Sequence, residues 1–101
     1  MARVTFFRIK AQPGKRQAVI DSFAKWEREQ KSKATGFERS LLISNNDDAD
    51  EFMAGVRFDT EANYAANSAR PEQGEWFAAL RANLVADPEW FNGTLEREVQ
   101  A

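Results

Sequence analysis

At 101 residues, 43% of them hydrophobic and 30% charged, the chain is long enough for one modest core and too apolar to be disordered throughout. It has no cysteine and no histidine. That excludes disulfides and thiolate metal sites, and it removes the usual ligand of zinc and haem iron together with imidazole acid–base chemistry. A formal net charge of -2 and a pI near 5.2 argue against a dedicated nucleic-acid binder.

The N-terminal MARVTFFRIK reads as a strand rather than a signal peptide, and no apolar run approaches the roughly 20 residues of a membrane span. A cytoplasmic protein with no membrane partner is therefore expected. Within the first strand, Val4 to Lys10, Val4 and Phe6 share one face and Thr5, Phe7 and Ile9 the other. Gln12-Pro13-Gly14 stops it, and Pro13 can open a helix.

From Gly14 to about Lys33, Val19, Phe23, Trp26 and Gln30 fall on one stripe with Ile20 beside it, while Asp21, Lys25 and Arg28 lie opposite. This predicts an amphipathic helix of about five turns. Asp21 with Lys25, Glu27 with Lys31 and Glu29 with Lys33 add acid-before-base pairs worth about 0.3 kcal/mol each. Gly36 ends the segment.

Gly36 to Phe58 predicts a β-hairpin. Phe37, Leu41 and Ile43 alternate with Glu38, Leu42 and Ser44, and Phe52, Ala54, Val56 and Phe58 alternate with Met53, Gly55 and Arg57. The connector Asn45 to Asp50 reads as longer than a two-residue turn. Leu42 and Met53 fall on the second phase, so the sheet is expected to be covered on both sides.

Asp59 or Thr60 is a natural helix N-cap and Glu61 suits the first turn, so a short helix to about Ser68 is expected. Arg70-Pro71 interrupts it, and a second helical stretch from Pro71 to about Val85 carries Trp76, Phe77, Leu80 and Leu84 on one stripe. After Asp87-Pro88, Trp90 to Val99 reads as a last strand with a β-bulge at Asn92-Gly93. The order β-α-β-β-α-β, with the helices on one face of an antiparallel sheet, predicts a ferredoxin-like α+β subunit. Three tryptophans and eight phenylalanines must be absorbed by its core, a pocket or an interface.

The Pro13-Gly14 turn, the Gly36-Phe37 lead-in to the hairpin, the Asn/Asp/Glu-rich connector, and Glu51-Phe52-Met53 followed by Arg57-Phe58-Asp59-Thr60-Glu61-Ala62 together resemble the antibiotic biosynthesis monooxygenase (ABM) family. The resemblance covers essentially the whole chain and implies a single domain over residues 1–101. It also implies a homodimer, two ferredoxin-like subunits meeting through their open sheet faces as a dimeric α+β barrel. That family includes cofactor-independent oxygenases of phenolic polyketide intermediates, haem-degrading enzymes, quinol oxygenases and members of no known activity.

Family pockets lie between sheet and helices and are lined by an Asn, a Trp and often a His. Carried over by position, Asn63 or Asn67 and Trp76 are the matching types, and the histidine is missing. Haem degradation through that histidine is thereby disfavoured. The resemblance implies a cofactor-independent monooxygenase acting on a small aromatic or quinol-like compound, with no cofactor and no metal. Such an enzyme needs its substrate to lose a proton to a carboxylate, Tyr64 or water. Donors would stabilise the anion. Trp76, Asn63 and Asn67 are the catalytic candidates, and Arg57, Tyr64, Phe77 and Leu80 the substrate-binding ones.

Each has a plainer reading: Trp76 as core, the asparagines as an exposed i, i+4 face, Tyr64 as a packed phenol, Arg57 as the partner of Glu38, Glu51 or a carboxylate of another subunit. The alternative function is a non-catalytic small-ligand-binding or dimerisation module on the same barrel. An isomerase or decarboxylase-like activity shares the scaffold, since fold does not fix reaction.

Overall fold

A computed structural model describes residues 1–101. Four strands, β1 (Arg3–Lys10), β2 (Phe37–Asn45), β3 (Asp48–Phe58) and β4 (Glu89–Thr94), form one antiparallel sheet in the order β2-β3-β1-β4. Helices α1 (Arg16–Glu29), α2 (Glu61–Ser68) and α3 (Pro71–Arg81) pack on one face of it. The result is the expected ferredoxin-like α+β fold, with the second helical segment divided in two at Pro71. No helix is long and apolar enough to cross a membrane.

Strand register decides which side chains meet the helices. Leu42 pairs with Ala54, Ala54 with Phe7 and Phe7 with Trp90, so these four form one row across the inner face. One residue away, Leu41, Gly55, Phe6 and Phe91 form the matching row on the outer face. The inner face supplies the core, in which Phe7, Ile9, Phe52 and Ala54 pack against Val19, Leu80 and Leu84. Ala11 pairs with Leu84, and Gln12 N–H bonds Asn83 O at 2.8 Å, which ties the end of β1 to the segment after α3.

The hairpin departs from its expected phases. Phe37 faces Phe58, but the next paired residue is Arg39, opposite Arg57, so Glu38 is an extra residue in a β-bulge. That one-residue slip places Phe37 and Leu42 on the inner face with Phe52, Val56 and Phe58, and sends Leu41 and Ile43 outward with Met53. The turn is also tighter than its composition suggests. Only Asn46 and Asp47 lie outside the strands, and no non-glycine residue has positive φ. Instead, Asn45 Oδ1 accepts from Asp47 N–H at 2.8 Å and Asp48 Oδ1 from Asp50 N–H at 3.0 Å, side chains taking over backbone pairing at the bend.

Helix boundaries follow local chemistry. Thr60 caps α2, its side chain accepting from Asn63 N–H at 3.1 Å, and Pro71 sits in the first turn of α3 after an extended Arg70. Helix α1 ends at Glu29, short of the expected Lys33, because Lys31–Lys33 tightens into a 3-10 turn. None of the three acid-before-base pairs closes into a salt bridge; Asp21 accepts instead from Gln17 Nε2 at 2.9 Å. Gly36 then reverses the chain at φ 81°, where a Cβ would lie 2.3 Å from Asp59 Oδ1 and 2.6 Å from Asn63 Nδ2. No other residue fits there.

Strand β4 is shorter than expected and has no bulge, Gly93 pairing regularly with Val4. After Thr94 the chain keeps one bond, Leu95 N–H to Ala2 O at 2.9 Å, and then crosses to bring Glu98 within 2.6 Å of Arg57 Nη1. On the outer face Arg57 stands directly opposite Arg39. Glu98 and Glu38, the latter 2.8 Å from Arg57 Nε, offset that like-charge pair.

These contacts carry a pH dependence. The Arg57 hydrogen bond holds the Glu98 carboxyl below its ordinary 4.5, and the Lys10 ammonium, 3.1 Å away, holds Asp48 below its ordinary 3.8. A depressed carboxyl stabilises the fold above its unfolded value and stops doing so as pH falls through the folded value. Thermal midpoints measured by circular dichroism are therefore expected to fall as pH drops below 4.5. Glu98→Gln is expected to flatten part of that slope.

Candidate functional site

Between the inner face of the sheet and the helices lies a cleft of about 840 Å³. Ala54, in the middle of the inner row, is too short to fill the space between Leu42 and Phe7 and leaves room over the sheet. One aromatic chain runs Trp26–Phe37–Phe58–Tyr64 with centroids 5.0, 5.8 and 5.6 Å apart, every step edge-to-face. The other joins Trp76 to Phe23 at 5.5 Å, Phe23 to Phe7 at 6.2 Å, Phe7 to Trp90 at 4.8 Å and Trp90 to Phe77 at 5.8 Å. All three tryptophans, the single tyrosine and four of the eight phenylalanines line the cleft. The aromatic load of the sequence is spent here.

Helix α2 presents Asn67 to the cleft, and this side chain is 7% exposed. Arg70 Nε donates to Asn67 Oδ1 at 3.1 Å. A guanidinium can only donate, so the carbonyl end of the amide must face Arg70 and the NH2 end must face the other way. No protein acceptor takes that NH2 group, and it is not sealed from the cleft. Tyr64, one turn earlier, is held by Arg3, whose guanidinium carbon lies 3.9 Å from its ring centroid. Arg3 is in turn fixed by Glu61 at 2.5 Å, by Asn92 Oδ1 at 2.8 Å and by the fully buried Thr5.

Trp76 lines the wall, but its indole N–H is committed to Ser22 O at 2.8 Å, so it is no donor for a ligand. Phe77 stands at the other end of the same wall. Three of the expected site residues are elsewhere. Arg57 points outward because it lies on the opposite phase of β3 from Phe58, and it is taken up by Glu38 and Glu98. Leu80 is 0% exposed in the core beside Val19 and Leu84, one turn beyond the cleft. Asn63 shares a face with Asn67 but sits nearer the helix start, bonded to Asp59 Oδ1 at 2.8 Å over Gly36.

The family model described as antibiotic biosynthesis monooxygenase matches residues 3–84, from the first residue of β1 through the segment that closes α3. This protein belongs to the antibiotic biosynthesis monooxygenase family. Its fold is similar to that of SnoaB from Streptomyces nogalater, a cofactor-independent oxygenase solved as a variant with one asparagine replaced by alanine. The TM-score is 0.86 at 18% identity, covering 99% of this chain and 98% of that one. A conserved protein from Methanosarcina mazei Go1 gives 0.84 at 14% identity, over 95% of this chain and 94% of that one. A further structure named antibiotic biosynthesis monooxygenase gives 0.78 at 12% identity, over 96% and 100%. No curated protein matches the chain in sequence.

The cleft of this ABM protein is lined mainly by aromatic and aliphatic side chains, with its charged lining residues exposed at the mouth. Glu27 and Lys31 from the end of α1, and Glu38 and Arg39 from β2, stand there. No three acidic groups converge to hold a metal ion. Such a cleft can hold a flat, largely apolar molecule between rings and offer an oriented amide donor, Asn67, to an oxygen on it.

Among the residues that the sequence does not single out for the site are Trp26, Phe23, Trp90 and, behind the cleft wall, Arg70. Trp26 and Phe23 lay on the α1 stripe and looked like core, and Trp90 looked like an ordinary strand residue, although its pairing with Phe7 puts it at the cleft. The fourth, Arg70, is in sequence only the residue before Pro71. The signal available for the first three was their aromatic type on helix-facing positions; for Arg70 there was none.

Proposed function

We propose that this protein is a cofactor-independent monooxygenase of a small aromatic or quinol-like compound bound in the cleft. Belonging to the ABM family supports the reaction class, and the likeness to SnoaB, itself a cofactor-independent oxygenase, supports the absence of a required cofactor. The single observation that carries the proposal is the buried Asn67 amide, with Arg70 bonded to its oxygen and its donors turned toward an aromatic-lined cleft. In this reading an anthrone- or quinol-type substrate lies against Trp26, Trp76 and Phe77. It loses a proton to water or to the mouth carboxylate Glu27, and Asn67 Nδ2–H stabilises the resulting oxyanion. The electron-rich anion then reduces dioxygen. For anthrone, one oxygen atom enters the carbon skeleton to give anthraquinone, and the other leaves as water with the two displaced hydrogens.

Oxygen uptake with a panel of anthrones and quinols tests this. Wild-type protein is expected to accelerate uptake above buffer. Asn67→Ala is expected to lower kcat about a hundredfold, the usual loss for one oxyanion donor. Trp76→Phe keeps a ring in the wall and loses only the bond to Ser22, so a few-fold loss is expected. No uptake above buffer with any compound removes the proposal. Binding without uptake would instead favour a non-catalytic ligand-binding module, a reading helped by a mouth whose carboxylates are exposed and a chain without histidine.

The proposed partner is a second copy of the chain, seated on the outer sheet face. Leu41, Ile43, Phe6 and Phe91 there are 45, 57, 38 and 72% exposed, an apolar surface on a sheet whose other face is already covered.

A further inference from the structure

Arg70 is the least explained charged side chain in the molecule. It sits at the corner between α2 and α3, extended at φ -69° and ψ 131°, and its side chain is only 18% exposed. From there its guanidinium reaches two elements. Nε donates to Asn67 Oδ1 at 3.1 Å on α2, and Nη2 donates to Gln30 Oε1 at 2.9 Å just past α1. The third nitrogen, Nη1, is 3.5 Å from Glu72 Oε2 but makes no hydrogen bond, and it is the buried side-chain donor that the fold leaves unpaired. A residue kept merely to satisfy a corner would be better served by a smaller group with no donor left over.

We infer that Arg70 is a positioning residue for Asn67, setting which end of the amide meets the bound molecule; this rests on the proposed use of the cleft. A free carboxamide can present either its oxygen or its NH2 group, and the two have opposite effects on an anion. An acceptor repels the oxyanion and a donor stabilises it. Because Arg70 has only donors, its bond to Oδ1 removes the wrong orientation, and Gln30 holds the guanidinium where it does so. The charge on Arg70 also sits behind the amide, polarising its N–H bonds toward the cleft.

Alizarin, a dihydroxyanthraquinone whose colour changes when a hydroxyl ionises and which has no oxidisable methylene, reports this directly. Its ionisation is titrated by absorbance while bound to wild type, Arg70→Met, Arg70→Lys, Asn67→Ala and the Arg70→Met/Asn67→Ala double variant, each below its unfolding midpoint. The expected result is an upward shift of about one pH unit in Arg70→Met, a tenfold loss of preference for the anion. Asn67→Ala is expected to shift by a similar amount, the double variant no further than either, and Arg70→Lys to recover most of the effect because the ammonium still donates to Oδ1. If Arg70→Met does not fold, Gln30→Leu loosens the other anchor without touching Asn67 and must move the ionisation in the same direction.

A lowered unfolding midpoint with wild-type ionisation, additive shifts in the double variant, or failure of alizarin to bind wild type each overturn the inference. Oxygen uptake is read separately, so loss of the oxygenase proposal and loss of this one are distinguishable.

Discussion

Phe58→Ala is expected to destabilise the protein by about 4 kcal/mol, the range for emptying a buried phenylalanine site. Phe58 is 1% exposed at the end of β3, and the rings of Phe37 and Tyr64 meet it edge-on at 5.8 and 5.6 Å. Neither neighbour can collapse into the void. Phe37 is held against Trp26, and Tyr64 under Arg3, which is itself anchored to Glu61 and Asn92. A cavity that cannot close costs the transfer free energy and the lost dispersion contacts together. In a chain of this size, 1 kcal/mol moves the midpoint by roughly 4–8 °C, so a drop of roughly 20 °C is expected by calorimetry. A drop of a few degrees would mean that the two aromatic neighbours are far less fixed than their contacts imply.

The second large effect concerns the outer face. If the outer face seats a second copy as proposed, Leu41→Glu combined with Ile43→Glu is expected to weaken self-association at least a hundredfold, about 3 kcal/mol, and to give a monomer at micromolar concentration by light scattering where wild type is expected to be a dimer. Both positions lie on the outward phase of β2, beside Gly55 and Met53. Gly55 matters because a Cβ there would lie 2.7 Å from Phe6 Cε1, so its absence lets the Phe6 ring lie flat over β3 and makes a smooth apolar surface. A carboxylate buried unpaired against such a surface costs several kcal/mol in its own right. Because the substituted side chains point away from the core, the monomer is expected to keep its secondary structure. Wild-type protein already monomeric at that concentration would contradict the proposed assembly.

Much of this fold was legible in the residues, and the failures have particular causes. The Thr60 cap, the break at Pro71 and the alternation of β3 rest on interactions within a few residues, and they stand where expected. The phase of β2 does not, because the bulge at Glu38 is a property of its pairing with β3 and leaves Phe37, Leu41 and Ile43 looking like one regular face. Helix α1 and strand β4 both end early for tertiary reasons. The chain after α1 must turn at Gly36 over α2, and the chain after Thr94 is drawn across the sheet by Arg57.

The cleft was legible only in part. Trp76, Phe77, Tyr64 and Asn67, candidates that came with the family resemblance, do line it, although the role of each is a proposal. Arg57 could have been excluded from strand parity alone, since it alternates with Phe58. Leu80 could not be told from Phe77 by helical period, because both belong to the same stripe and only their depth differs. Nothing in the order of residues connects Arg70 with Gln30, forty positions apart and joined only when α3 folds against α1.

In the proposed reaction a substrate bound in the aromatic cleft supplies the electrons for its own monooxygenation. Incubation with anthrone under oxygen-18 gas, followed by mass spectrometry of the product, measures it. Anthraquinone carrying one oxygen atom from the gas is expected, formed faster than in buffer and slowed by Asn67→Ala. Product labelled at the rate of the buffer control, or carrying oxygen from water instead, would contradict it.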